Sequence, residues 1–207
     1  AVLEDGHYRI SGQKIYTTWG EHDFTDNVVH MVLARTPDAP PGTRGISLFI
    51  VPKFLVNDDG SLGQRNDLRA VSLEHKLGIH GSPTCVMQFG DNDGAIGYLV
   101  GEECRGMEYM FSMMNSARLA VGREGVGIGE RAYQQAADYA RERVQGKDMS
   151  NPVLSEVPII HHPDVRRNLM TMRCLTEASR ALGYYVAAKQ DLGRKHPDAD
   201  VKAAAQA

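Results

Sequence analysis

Gly101-Glu102-Glu103-Cys104-Arg105-Gly106-Met107-Glu108-Tyr109-Met110-Phe111-Ser112-Met113-Met114 is where the chain changes texture. Met107, Met110, Phe111 and Met114 stand at i, i+3, i+4 and i+7, the spacing of one apolar helix face. The helical pattern continues through Ala120, Val126 and Ala132 to about Arg143, with no internal proline. Gly122, Gly125, Gly127 and Gly129 lower its intrinsic propensity, so it needs tertiary packing, and they let a neighbouring backbone come close. A polar, proline-bearing loop is expected from Gly146 to about Pro158. A second long helix follows from about Pro163 to Lys195, with Val165, Leu169, Met172, Leu175 and Ala178 marking its face. Gly193 and Pro197 interrupt it, and Asp198 or Asp200 starts the next helix.

Upstream of Gly101 the pattern is short apolar runs separated by turn chemistry, the signature of successive β-strands. The clearest runs are Tyr8–Ile10, Lys14–Thr18, Val28–Ala34, Gly45–Val51, Ala70–Leu77 and Cys85–Phe89. Ser11-Gly12, the stretch from Pro37 to Gly42, Asn57 to Gly60 and Asp91 to Gly94 supply the turns. No helical periodicity intervenes, so hairpin and meander connections fit better than a parallel sheet. The expected fold is α+β: an antiparallel β-barrel or sandwich over residues 1–100, then part of an antiparallel helical bundle over 101–207. The helix-forming run from Asp200 to Ala207 carries no stop signal, and the chain opens on Ala1; both ends read as those of a fragment.

Composition bounds the function. With 207 residues, 42% hydrophobic and 24% charged, the chain reads as an ordinary soluble, cytoplasmic one. A formal net charge of -3 argues against nucleic-acid binding, which favours a basic surplus. No apolar run approaches the roughly 18 residues needed to span a bilayer. Cys85, Cys104 and Cys174 are odd in number and widely spaced, which gives neither a disulfide framework nor a zinc knuckle.

Several motifs look like chemistry and read better as structure. Gly127-Ile128-Gly129-Glu130-Arg131-Ala132 matches part of a dinucleotide fingerprint, yet it lies mid-helix with no preceding strand. His161-His162 stands before Pro163 at a helix entry rather than at a metal-ligand spacing. Asp91-Asn92-Asp93-Gly94 has its glycine too early for a calcium loop and reads as a plain turn. No G-x-S-x-G elbow occurs. No metal site is expected, and residues alone yield no self-contained active site.

Five segments, in order, change that reading. Tyr8-Arg9-Ile10-Ser11-Gly12-Gln13-Lys14-Ile15-Tyr16-Thr17-Thr18-Trp19-Gly20 resembles the acyl-CoA dehydrogenase segment in which a strand meets the flavin. Gly45 to Val51, Lys76 to Thr84, Leu99 to Gly106 and Tyr139 to Arg143 resemble later segments of the same family. Tyr16 where most members have tryptophan, Trp19, Glu21-His22-Asp23, and Arg143-Val144-Gln145-Gly146 in place of R-x-x-F-G point to its large-chain subgroup. That last departure drops an aromatic that usually packs near the FAD of a neighbouring subunit.

The resemblance implies an FAD-dependent oxidoreductase of fatty acid metabolism that removes two hydrogens across the α and β carbons of an acyl-CoA thioester. Thr18 would meet the flavin N5 edge, with Thr17 beside it, and Tyr16 would cover the ring. Arg143, with Gln145 as a weaker contact, would bind the FAD pyrophosphate of a dimer partner, as guanidinium suits paired phosphate oxygens. Asn115 and Arg118 would hold the CoA nucleotide, and Thr43 would lie in a loop passing the CoA phosphates. No catalytic base is expected among residues 1–207. Ala117, directly before Arg118, stands where a minority of the family carry theirs, which sends the base beyond Ala207. Implied partners are the acyl-CoA substrate, an electron-transfer flavoprotein and further copies in a homodimer or homotetramer, with no nucleic acid and no membrane. A non-catalytic assembly module, a nucleic-acid-binding relative and an oxygen-using oxidase are the competing readings.

Overall fold

The computed structural model describes residues 1–148 and 156–206. The chain divides into two compact units, Ala1–Met113 and Met114–Ala207. The first unit carries ten strands: β1 (Val2–Glu4), β2 (His7–Ile10), β3 (Gly12–Thr18), β4 (Val29–Arg35), β5 (Ile46–Pro52), β6 (Phe54–Val56), β7 (Leu62–Arg65), β8 (Leu68–Leu73), β9 (Thr84–Phe89) and β10 (Ala95–Leu99). A five-stranded sheet runs in the order β1-β2-β10-β5-β4 and a three-stranded sheet in the order β3-β9-β8; β6 and β7 form a separate hairpin. Every pairing is antiparallel.

Alternation along the strands builds the core. In β9, Cys85, Met87 and Phe89 point inward while the residues between them stay half-buried, as a period of two requires. They meet Tyr8, Ile10, Val32, Phe49, Val51 and Ala95 from the larger sheet in one hydrophobic cluster. The Tyr8 and Phe49 rings lie 4.9 Å apart and tilted, a favourable aromatic geometry. β5, flanked on both sides, is the most deeply buried strand. Both sheets keep open edges, so the architecture is the sandwich of the two expected alternatives and not a closed barrel.

The strand pattern was incomplete in two ways. β1 and β6 are only three residues long, β7 is polar, and β10 contains Gly97, so none of the four announced itself. The run expected to continue to Leu77 stops at Leu73, and Leu77 is fully exposed. Where the chain leaves β10, Gly106 lies so close to β5 that a Cβ there would fall 2.4 Å from the Ser47 carbonyl carbon. The Cys104 amide donates to Ser47 Oγ at 2.8 Å.

Gly106 opens α1 (Gly106–Glu142), which is followed by α2 (Pro163–Lys195) and α3 (Ala199–Gln206). These match the expected helices closely. Pro163 sits at the first turn of α2, where its missing N–H costs nothing. Within the second unit α1 and α2 run antiparallel: Glu130 pairs with Arg180 at 2.6 Å, and the Gln145 amide donates to the Val157 carbonyl at 3.0 Å. Gly129 makes the close approach expected of the α1 glycines, with its Cβ direction 3.2 Å from Thr176 Oγ1; Gly122, Gly125 and Gly127 face open space. The inward face of α2 also differs from expectation. Val165, Leu169 and Met172 are half-buried, but Thr176 follows them, and Leu175 and Ala178 are exposed. A 3.6-residue period carries the stripe past Leu175 to the next position. Most of the expected polar loop, residues 149–155, lies outside the described residues.

No helix among the described residues is long and apolar enough to cross a membrane.

Candidate functional site

β3 is the edge strand of its sheet, with β9 on one side. The outer backbone groups of such a strand are available to a ligand. Its register against β9 shifts between Lys14 and Thr17, and the bulge re-aims the intervening side chains. Tyr16, inside the bulge, takes φ 56° and is 68% exposed. Thr17 and Thr18 resume pairing with Cys85 and Thr84, and Thr18 is exposed. Trp19 repeats the left-handed conformation at φ 56°. For bulky residues this costs on the order of 1–3 kcal/mol each and persists only where surroundings hold it. The edge therefore brings Tyr16, Thr17 and Thr18 together with a flat exposed ring and free backbone groups, which fits a planar heterocycle such as a flavin.

The turn after β3 is firmly held. The Trp19 amide donates to the Pro83 carbonyl at 2.8 Å. Gly20 is buried, with no room for a Cβ against Met87 and Cys85. Glu21 pairs with Lys53, and its second oxygen lies 3.6 Å from Arg65. Trp19, His22 and Phe24 form an aromatic cluster with ring centroids 5.5–6.0 Å apart. With the residues around Ser82 they line an open cavity of about 330 Å³. His30 is buried nearby, edge-on to Phe89 at 5.7 Å. Burial holds its imidazole below the ordinary value of 6.5, with the Glu21 carboxylate pulling the other way. Sequence reasoning missed this cluster. Glu21, Lys53 and Arg65 come from three separate turns or strand ends and share no spacing.

The other candidate residues lie outside β3. Thr43 opens a single 3₁₀ turn, Thr43–Gly45, and is exposed. Asn115 and Arg118 share one face of α1 at i, i+3, both exposed. Arg118 also lines a groove of about 250 Å³ between α1 and α2, with Gly122 and Gly183 at its walls. Arg143 and Gln145 leave the end of α1 in an extended segment that bridges to Pro158. The Arg143 carbonyl accepts from the Ile159 amide at 2.8 Å, and the Gln145 amide donates to the Val157 carbonyl at 3.0 Å. The Gln145 carbonyl is taken by His162 Nε2 at 2.7 Å. Twenty-five residues of α1 and its exit separate Arg118 from Arg143, about 38 Å at 1.5 Å per residue.

Of the carboxylates on α1, Glu108, Glu130 and Asp138 are held in ion pairs with Arg105, Arg180 and Arg141. Glu108 holds the Arg105 guanidinium at 2.8 and 2.9 Å. Ala117 carries no proton-accepting group. Asp67 binds the turn at Asn92 and Gly94 through their amides; burial opposes its ionisation, but these bonds win and hold the carboxyl below its ordinary value. That explains Asp91 to Gly94 as a turn fastened from below.

Two antiparallel sheets leading into long antiparallel helices define a known class of α+β scaffold, and comparison with known proteins places it. The acyl-CoA dehydrogenase C-terminal domain family model matches residues 104–206. A 3-methylmercaptopropionyl-CoA dehydrogenase of Ruegeria pomeroyi is 56% identical over 203 residues, 98% of this chain and 34% of its own length. Caenorhabditis elegans ACDH-11, solved in complex with C11-CoA, superimposes with a TM-score of 0.75 at 26% identity, covering 98% of this chain and 31% of that one. An acyl-CoA dehydrogenase from Bacillus anthracis complexed with FAD gives 0.70 at 25% identity, covering 99% and 32%. The chain belongs to the acyl-CoA dehydrogenase family. It spans about a third of the length of the relatives it matches.

Proposed function

We propose that this chain is the flavin-facing portion of an FAD-dependent acyl-CoA dehydrogenase that introduces a double bond between the α and β carbons of an acyl-CoA thioester. The β3 edge carries the reading: an exposed aromatic ring at Tyr16 and the Thr18 hydroxyl on a strand with open backbone groups, in a chain of this family. Residues 1–100 form the flavin-facing β domain, and residues 101–207 begin the helical-bundle domain. FAD, when bound, supplies the hydride-accepting chemistry.

This chain's residues align and hold. Tyr16 covers the flavin ring, and Thr17 and Thr18 fix its reactive edge by side-chain and backbone hydrogen bonds. Arg143 and Gln145 take the pyrophosphate of a second copy's FAD, so a homodimer or homotetramer completes each site. Asn115 and Arg118 hold the CoA nucleotide, and Thr43 borders the CoA phosphates. The α-proton goes to a carboxylate from outside residues 1–207, since general-base catalysis needs one within hydrogen-bond reach. An electron-transfer flavoprotein would be the electron acceptor, in the cytoplasm.

The test is a visible spectrum of the native full-length protein before and after anaerobic addition of a panel of acyl-CoAs. A flavin band that bleaches with one of them is the expected result and identifies the acyl group. A protein that stays colourless when supplied with FAD would sink the reading and leave a non-catalytic assembly module.

A further inference from the structure

The turn that follows β3 has a charged anchor whose position suggests more than fold maintenance. Tyr16 and Trp19 both hold left-handed backbone, φ 56° each, on either side of Thr17 and Thr18. Such conformations relax unless neighbouring contacts over-determine them. Backbone contacts at Trp19 and the tight seat of Gly20 fasten the near side. Asn27 fastens the far side, donating to the Phe54 carbonyl at 2.8 Å and accepting from the Phe54 amide at 2.9 Å. Between them stands Glu21. Its carboxylate pairs with Lys53, which also reaches the His22 carbonyl at 3.5 Å, and lies 3.6 Å from Arg65.

The Glu21–Lys53 pair is not a solvated surface pair. The Lys53 side chain is 16% exposed and that of Glu21 27%. Removing one member of a pair so sheltered leaves the other charge uncompensated, which loosens whatever the pair was holding. What it holds is the turn from Trp19 to Phe24, one residue beyond Thr18.

We propose that Glu21 is a positioning residue for the flavin-facing edge: by tying the turn after β3 to Lys53 and Arg65, it fixes the backbone of Tyr16, Thr17 and Thr18 against the cofactor. The inference rests on the flavin reading above. Glu21 acts through the backbone and makes no contact with cofactor or substrate itself. Lys53, at the junction of β5 and β6, is the fixed post, because its own amide donates to the Val28 carbonyl at 2.8 Å.

Glu21→Gln, Lys53→Gln and the double substitution in the native full-length protein test this with two readouts. FAD dissociation constants should rise about tenfold in each single variant, a scale set by truncating one member of a sheltered charge pair. The double variant should be no weaker than the worse single, as expected when both act through one contact. Hydrogen exchange of the flavin-free protein should accelerate over residues 16–24 and stay unchanged in β2, β5 and β9. Unchanged FAD affinity in Glu21→Gln overturns the proposal. So does exchange that quickens throughout the sandwich, since that marks Glu21 as support for the whole fold. If the unsubstituted protein binds no FAD, the flavin reading falls and takes this inference with it; that failure is distinguishable because it precedes any substitution.

Discussion

The two units of this chain bury different things. Residues 1–113 enclose large side chains: Phe49, Val51, Cys85 and Met87 are wholly shielded between two sheets. In residues 114–207 the buried positions are mostly small, among them Ala137, Ala140, Thr176 and Gly193, while Ile128, Met170, Leu175, Leu182, Tyr184 and Tyr185 stay largely exposed. A sheet face packed on another sheet shields every second residue, whereas two helices shield only the stripe along which they touch. The sandwich can therefore hold a strained edge such as Tyr16 to Trp19 in place, while the helix pair gains little from its own apolar residues. Within the 207-residue chain, Phe49→Ala should cost about 3–5 kcal/mol and Leu175→Ala no more than about 0.5 kcal/mol by urea denaturation. Equal costs would abolish the contrast.

A finer version of the same contrast lies inside α1. Gly127 and Gly129 are two residues apart on one helix, and an added Cβ meets nothing at the first but comes within 3.2 Å of Thr176 Oγ1 at the second. Alanine is favoured over glycine in a helix interior by about 0.8–1 kcal/mol. Gly127→Ala should collect most of that as a raised urea midpoint. Gly129→Ala should show less, or a loss, because Thr176 must give way. An equal gain at both positions would mean that α1 and α2 do not press together at Thr176.

Legibility in the sequence followed the same division. The long helices were readable because Met107 to Met114 and Pro163 to Lys195 repeat at helical spacing and are punctuated by proline and glycine. Strands with clean alternation, such as Thr84–Phe89, were readable too. Three-residue strands like Val2–Glu4 give alternation nothing to repeat over, and the run at Leu77 looked like strand because its apolar residues carry no mark of exposure. Tyr16 and Thr18 were singled out only through resemblance to a family segment, and the structure adds the register shift and the left-handed backbone at Tyr16 beside them. The Glu21, Lys53 and Arg65 cluster was not legible. Its members are 12 to 44 residues apart and meet only once β5 to β7 have folded.

His30 offers a last way to probe how tightly the β unit is closed. Its ring is buried beside Phe89, its Nε2 has no hydrogen-bond partner among the described residues, and burial holds its pKa below 6.5 although Glu21 opposes this. His22 and Lys53, the other charged groups felt there, push the same way as burial. Well above pH 6.5 the imidazole is neutral in both folded and unfolded chains, and its contribution to stability is fully present. As pH falls below 6.5 the unfolded chain takes up the proton first, so stability is lost progressively down through the depressed folded value. His30→Phe keeps the ring and removes the titration. Melting temperatures of the two proteins compared at about pH 7.5 and about pH 5.5 should show a smaller drop in the variant. The variant should also melt higher at the upper pH, since it no longer buries an unpaired nitrogen. Parallel drops would mean that water reaches His30 and that this end of the sandwich opens more readily than the sealed core around Phe49.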